Sequence, residues 1–213
     1  MKKTVEIYIN NTEAKAAEAI RVADDFINEL GLEGKKAIHL RLLAEETVGM
    51  VRAMTGDFQA RFSMENEDGE NRIKLLVETT MDREKKSELL SVSTKGKNVA
   101  ARGFMGKIRE IIENGLLDYD EAMKMQQEYG GTMPDYAYMG MGFPMSNPIT
   151  LPTQDGPITW SLSNYRDALE EAPDSEENVQ EAWDELEKSI VASIAKEVTV
   201  GIRKDRVDLT ITA

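Results

Sequence analysis

The sequence predicts an α+β fold, a two-layer sandwich in which an antiparallel or mixed sheet is covered on one face by helices and interrupted by a large insertion. Three observations predict it. Residues 4–80 pass from strand-like alternation to two helix-like stretches and back to alternation, and residues 178–212 repeat the order as one helix followed by a hairpin. Between them lie about a hundred residues of different character. The expected organisation is therefore 1–82 as the first part of one domain, 83–177 as an insertion or lid region, and 178–213 as its last helix and hairpin.

Each element has a local reason. Thr4 to Ile9 alternates as a strand does, and Asn10, Asn11 and Thr12 offer N-caps before Ala16, Ile20, Ala23, Ile27 and Leu30, which recur at helical spacing. Gly31 stops that helix. A second helix is expected from about Gly34 to Met54, with Ile38, Leu42, Leu43, Val48, Met50, Val51 and Met54 as its apolar stripe and Gly56 at its end. Phe58, Ala60, Phe62 and Met64 then alternate with polar residues, and Ile73, Leu75 and Val77 do so beyond Glu67-Asp68-Gly69, which is a hairpin with one wet face.

Near the other end, Asp174-Ser175-Glu176-Glu177 offers a capping box for a helix over 178–196, with Val179, Trp183, Leu186, Ile190 and Ile194 facing inward. Val198, Val200 and Ile202 alternate next, Lys204-Asp205 turns the chain, and Val207, Leu209 and Ile211 complete a second hairpin. In the intervening stretch, Met81–Leu90 and Asn98–Asn114 look helical, whereas the periodicity falters from Leu116 to Pro173. Five of the six prolines lie between Pro134 and Pro157, and six of the twelve methionines between Met123 and Met145, beside Tyr129, Tyr136, Tyr138 and Phe143. That composition is too apolar for a solvated linker, so residues 123–160 are expected to pack onto a partner or back onto the domain. Ile149–Leu151 and Ile158–Trp160 suggest a small hairpin across Asp155-Gly156.

Composition narrows the function. Thirty-nine acidic residues against twenty-six basic ones leave a formal charge of −13, which repels phosphate backbones and anionic membrane surfaces. Neither nucleic acid nor a membrane is an expected partner. With no cysteine there is no disulfide, thiolate metal site or Cys nucleophile, and a single histidine, His39, gives a Ser-His-Asp triad no persuasive assembly. The opening residues lack the apolar run of a signal peptide, so a cytoplasmic location is the expectation.

The string Val5-Glu6-Ile7-Tyr8-Ile9, the helix pair with His39-Leu40-Arg41-Leu42-Leu43-Ala44-Glu45-Glu46 in its second member, the hairpin reaching Glu78, and the run Ser189 to Val200 occur in a distinctive order. In that order the chain resembles the histidine-kinase-like (GHKL) ATPase fold, and most closely the bacterial anti-sigma-factor serine kinases, over roughly residues 4–80 and 178–212. The resemblance implies ATP and Mg²⁺ as cofactors and a sigma factor or anti-sigma antagonist as partner, while the apolar segment 123–160 leaves a second copy of the chain as the other expected partner. It also implies a catalytic Glu in the second helix, with an Asn four residues on that holds Mg²⁺. Glu45 pairs in that spacing with Gly49 and Glu46 with Met50, so neither register supplies the Asn. An Asp-x-Gly-x-Gly that reads adenine is implied after the third strand, where this chain has Val77-Glu78-Thr79-Thr80-Met81-Asp82 and no glycine.

The candidate site that remains is Glu45 as the catalytic carboxylate, with Gly49, Glu78, Asp82, Gly103, Gly106 and Lys107 as nucleotide contacts. Glu45 also has a plain alternative, an i,i+4 pair with Arg41 on a solvated helix edge. Gly103-Phe104-Met105-Gly106-Lys107 falls where the family's nucleotide lid lies. It fails the full phosphate-loop pattern, because Ala101 stands at the first glycine position and Ile108 follows the lysine. A helix with small residues for close packing is the competing account. Met139, Met141 and Met145 could bind a soft metal, although thioethers among Tyr and Pro more often make adaptable contacts. With both nucleotide motifs degraded, the expected function is regulation by protein–protein binding, and the alternative is an active ATP-dependent serine kinase and anti-sigma factor.

Overall fold

The computed structural model describes residues 1–10, 12–53, 58–79, 104–106, 108–109, 112, 158–171, 177–203 and 206–213. Its elements run β1 (Lys2–Lys3), β2 (Ile7–Ile9), α1 (Glu13–Glu29), α2 (Gly34–Ala53), β3 (Phe58–Glu67), β4 (Glu70–Thr79), β5 (Ile158–Ser161), α3 (Leu162–Glu171), α4 (Glu177–Lys188), α5 (Ile190–Ile194), β6 (Glu197–Arg203) and β7 (Arg206–Thr212). All strands join one antiparallel sheet in the order β1–β3–β4–β7–β6–β5, with β2 beside β1 on the same partner, β3. The α+β architecture expected from the alternation is therefore present.

The first hairpin is set by its turn. Glu67 pairs with Glu70, and Asp68 and Gly69 between them have φ of 53° and 85°, the two positive values of a type I′ loop whose twist matches the strands. Ten residue pairs then place Ala60, Phe62 and Met64 on one face with Ile73, Leu75 and Val77. Strand β7 continues that face from the other side of β4, through Leu75↔Leu209 and Ile73↔Ile211, and β6 follows through Val200↔Leu209. A single buried cluster joins these residues to Ala19, Ala23 and Phe26 of α1, Leu40, Leu43 and Val48 of α2, and Val191 of α5. The two sequence blocks thus share one core.

Local chemistry fixes the helix ends. Leu30 closes α1 and Gly31 follows at φ 65°; Gly31 N–H donates to Asn28 O at 3.0 Å and Leu32 N–H to Ile27 O at 3.1 Å, a Schellman arrangement that glycine adopts without strain. The last turn of α1 has no basic residue of its own, and Lys2 Nζ supplies the charge by donating to Glu29 O at 2.9 Å. Between β1 and β2 the edge strand carries one extra residue, since Lys3↔Glu65 and Ile7↔Phe62 span four steps on one strand and three on the other. Thr4 stabilises that bulge: its N–H donates to Met64 O at 2.8 Å, and its Oγ1 accepts from Met64 N–H at 2.9 Å.

Several expectations change. The helix expected over 178–196 is two helices, because Ser189 is extended (φ −83°, ψ 121°) and starts α5 by accepting Ala192 N–H on its Oγ. Its side chain competes with the backbone for that donor, so the chain bends there instead of continuing. Ile190 consequently turns outward, at 45% exposure, and Ala182 takes an inward position beside Val179 and Leu186. In α2 the buried residues are Leu40, Leu43, Ala44, Thr47, Val48, Met50 and Val51, whereas Ile38 is 59% exposed and Leu42 half-buried. Residues 162–171, where the periodicity falters, form α3 on Leu162, Tyr165 and Leu169. Strand β5 pairs with β6 as an edge of the main sheet, through Trp160↔Val200; the other half of its expected hairpin, 149–151, lies outside the described residues. So do the helix expected over Met81–Leu90, the capping box at 174–176, the turn at 204–205 and the Met, Tyr and Pro residues of 123–157.

Phe62, fully buried between the two blocks, is the stringent test of the shared core. Phe62→Ala is expected to lower stability by about 3–5 kcal/mol within one cooperative urea transition, and the exposed Ile38→Ala by less than about 0.5 kcal/mol. Two separate transitions in the parent chain would contradict a common core.

Candidate functional site

The sheet has two unlike sides. Strand alternation sends Ile73, Leu75 and Val77 toward the helices, and Arg72, Lys74, Leu76 and Glu78 to the opposite face. The candidate residues divide along the same line.

Glu45 sits on α2, on the helical side. Its Oε1 lies 3.2 Å from Arg41 Nη2, and Arg41 Nε in turn donates to Asp24 Oδ1 of α1 at 2.8 Å. Arg41 therefore bridges the two helices with a carboxylate on each side, which is the plain reading of Glu45 as an i,i+4 pair. All three side chains are more than a third exposed, so solvent screening keeps the contribution small. Gly49, one turn on, is exposed, and a Cβ built there meets nothing within 4 Å.

Glu78 lies near the end of β4 on the opposite face, which is helix-free among the described residues. Its Oε1 accepts from Arg206 Nη2 at 2.9 Å and from Arg61 Nη2 at 3.2 Å, which ties β4 to both neighbouring strands. The Arg206 hydrogen bond, aided by both guanidinium charges, holds the Glu78 carboxyl below the usual range. Glu45 and Glu78 are thus on opposite sides of the sheet, each engaged by arginine, and are not brought together. Asp82, Gly103 and Lys107 lie outside the described residues.

Gly106 is half-buried in a helical stretch whose neighbours Phe104, Ile108 and Ile112 belong to the core. The Phe104 ring packs 6.2 Å from Trp160, which packs 5.9 Å from Tyr165. Arg109, also buried, donates from Nη1 to Ala53 O at 2.8 Å and so satisfies a carbonyl at the end of α2. Phe104, Ile108 and Ile112 recur at the spacing of one helical face, and the packed-helix account fits Gly106. Arg109 was not legible as an anchor, because a basic residue on a patterned helix reads as its solvated edge.

On the other face, β3, β4 and β7 with the edge strand border a groove of about 360 Å³ lined by Lys3, Glu6, Arg61, Lys74, Leu76 and Asp208, among others. Lys74, one of its lining residues, pairs through Nζ with the buried Glu65 at 2.6 Å. Sequence reading missed this groove, since its residues come from four strands and no short motif contains them. Among the described residues no group of three His, Cys, Asp or Glu could hold a metal ion, and no helix is long and apolar enough to cross a membrane. Comparison of the chain with protein-family models, curated proteins and solved structures finds no match.

The lowered Glu78 carboxyl sets a pH dependence. A group whose folded pKa is depressed contributes stability above its unfolded value, here near 4.5, and that contribution is lost as pH falls through the lower folded value. Acid titration of urea stability from about pH 6 to about pH 3 should therefore show a shallower decline in Glu78→Gln than in the parent. An unchanged slope would remove Glu78 from the account.

Proposed function

We propose that the chain is a regulatory protein of the anti-sigma-factor and serine-kinase type that acts by binding a protein partner, on a histidine-kinase-like ATPase fold with its nucleotide chemistry lost. The order strand, helix, helix, hairpin, then helix and hairpin closing one antiparallel sheet, supports the fold assignment. One observation supports the loss of chemistry: in the segment that the resemblance sets at the nucleotide lid, residues 104–106, 108–109 and 112 are helical, with Phe104, Ile108 and Ile112 buried and Arg109 anchored to the end of α2. A loop that cradles phosphate needs backbone N–H groups free to face the ligand, and helical residues packed in a core do not offer them. The absent metal-ligand Asn and adenine-reading Asp point the same way.

The partner is a sigma factor or an anti-sigma antagonist by resemblance, or a second copy of the chain. The open space at Gly49 beside Glu45 favours a second reading, the active ATP-dependent kinase with Glu45 as its base.

Calorimetry with ATP and Mg²⁺ separates the two. Each missing charge-assisted contact is worth roughly 1.5–3 kcal/mol, so no heat corresponding to a micromolar or tighter dissociation constant is expected. Tight binding would restore the kinase reading, and loss of phosphoryl transfer in Glu45→Gln with binding retained would then assign the base.

A further inference from the structure

The groove on the face opposite the helices has a floor of two cross-strand rows, Arg61, Leu76 and Asp208 in one and Ser63, Lys74 and Thr210 in the other, set side by side by the register of β3, β4 and β7. Strand spacing makes that floor roughly 10 Å across the strands and about 7 Å along them, the footprint of one six-membered ring with its substituents. Its charges are mixed. Lys3, Arg61 and Lys74 line it together with Glu6 and Asp208, and Lys3 lies 3.1 Å from Glu6, Arg61 3.2 Å from Glu78 and Lys74 2.6 Å from Glu65. Neither sign is left in an excess that would select a charged ligand. Two hydroxyls stand apart from these pairs. Ser63 is only 5% exposed and lines the groove, yet among the described residues neither its Oγ nor Thr210 Oγ1 has a hydrogen-bond partner. A polar side chain so deeply buried ordinarily has a partner, so both hydroxyls are available to a molecule in the groove.

We propose that this groove binds a neutral polyhydroxylated ligand, a single hexose unit. Sugar hydroxyls donate to Glu6 and Asp208, accept from Lys3, Arg61 and Lys74, and exchange hydrogen bonds with Ser63 and Thr210 in either sense. The C–H face of the ring lies over the half-buried Leu76, the apolar side chain of the two rows. Tyr8, the register partner of Arg61 and 59% exposed, stands beside the groove with its ring open to stacking. An apolar ligand would leave the polar lining unpaired, and a ligand of net charge would meet a like charge on the same floor. The inference concerns a small-molecule site and does not depend on the partner-binding reading above.

The test uses the full chain, isotopically labelled, titrated with D-glucose, D-galactose, D-mannose and N-acetyl-D-glucosamine, and with cyclohexanol, glucosamine and glucose 6-phosphate for comparison. At least one neutral sugar is expected to shift the Leu76 methyls and the Ser63, Lys74 and Thr210 amides in a saturable way, at a dissociation constant on the order of millimolar. Added salt, at about 0.5 M, leaves that constant unchanged within about twofold, because no net charge is bound. Cyclohexanol leaves the same signals unmoved. Ser63→Ala and Thr210→Val each weaken the sugar about fivefold, the loss of one hydrogen bond, and Glu181→Gln on α4 changes nothing. Each variant's spectrum reports whether it has kept its fold. Absence of groove shifts with all the neutral sugars, or unchanged affinity in both hydroxyl variants, would overturn the proposal. So would equal shifts from cyclohexanol, or glucosamine or glucose 6-phosphate binding more than about tenfold tighter than every neutral sugar with that advantage lost in salt.

Discussion

The ladder between β4 and β7 is the constraint on which the rest of the structure depends. Seven residue pairs, from Arg72↔Thr212 to Glu78↔Arg206, join segments more than a hundred residues apart. Closing so long a loop costs entropy, though the cost grows only logarithmically with length. Burial on one side of the ladder offsets it, because Ile73, Leu75 and Val77 meet Val207, Leu209 and Ile211 with almost no exposed surface. A slip of one residue would send all six to the helix-free face, so the same burial that stabilises the ladder also fixes its register. With β4 and β7 joined, α1 and α2 from one end and α5 from the other converge on one side, and the opposite side is left to the charged residues.

That two-sidedness governs what each candidate residue can do. Glu45 belongs to the helical layer and is held by Arg41, which also holds Asp24. Glu78 belongs to the ion-pair lattice of the other face, between Arg61 and Arg206. A ligand touching one does not reach the other across a packed sheet. The helical side buries Phe104, Ile108 and Ile112 in the core, and the opposite face carries the ion pairs of Glu65 and Glu78.

Much of the fold was legible because strand alternation and turn chemistry are local signals. The positive φ values at Asp68 and Gly69, and the Schellman end at Gly31, are written in two or three residues each. What was not legible depended on competition or on distance. Ser189 broke a helix that periodicity carried through, since a hydroxyl's preference for its own backbone is invisible to a hydrophobic count. Ile38 fits an apolar stripe yet faces solvent, as the helix-sheet contact selects only part of that stripe. Strand β5 is four residues long and finds its partner about forty residues on, so its place in the sheet had no local signature. Of the candidate site, the Arg41–Glu45 pair and the space at Gly49 follow from i,i+4 geometry. The anchoring of Arg109 and the groove around Asp208 required strands and helices from distant parts of the chain to come together first.

The most direct test of this account is the cross-strand nuclear Overhauser pattern between β4 and β7 in the labelled full chain. Contacts linking Ile73 to Ile211, Leu75 to Leu209 and Val77 to Val207 are the expected result. Their absence, or a pattern displaced by one residue, would separate the two ends of the chain and contradict the shared sheet and both surfaces built on it.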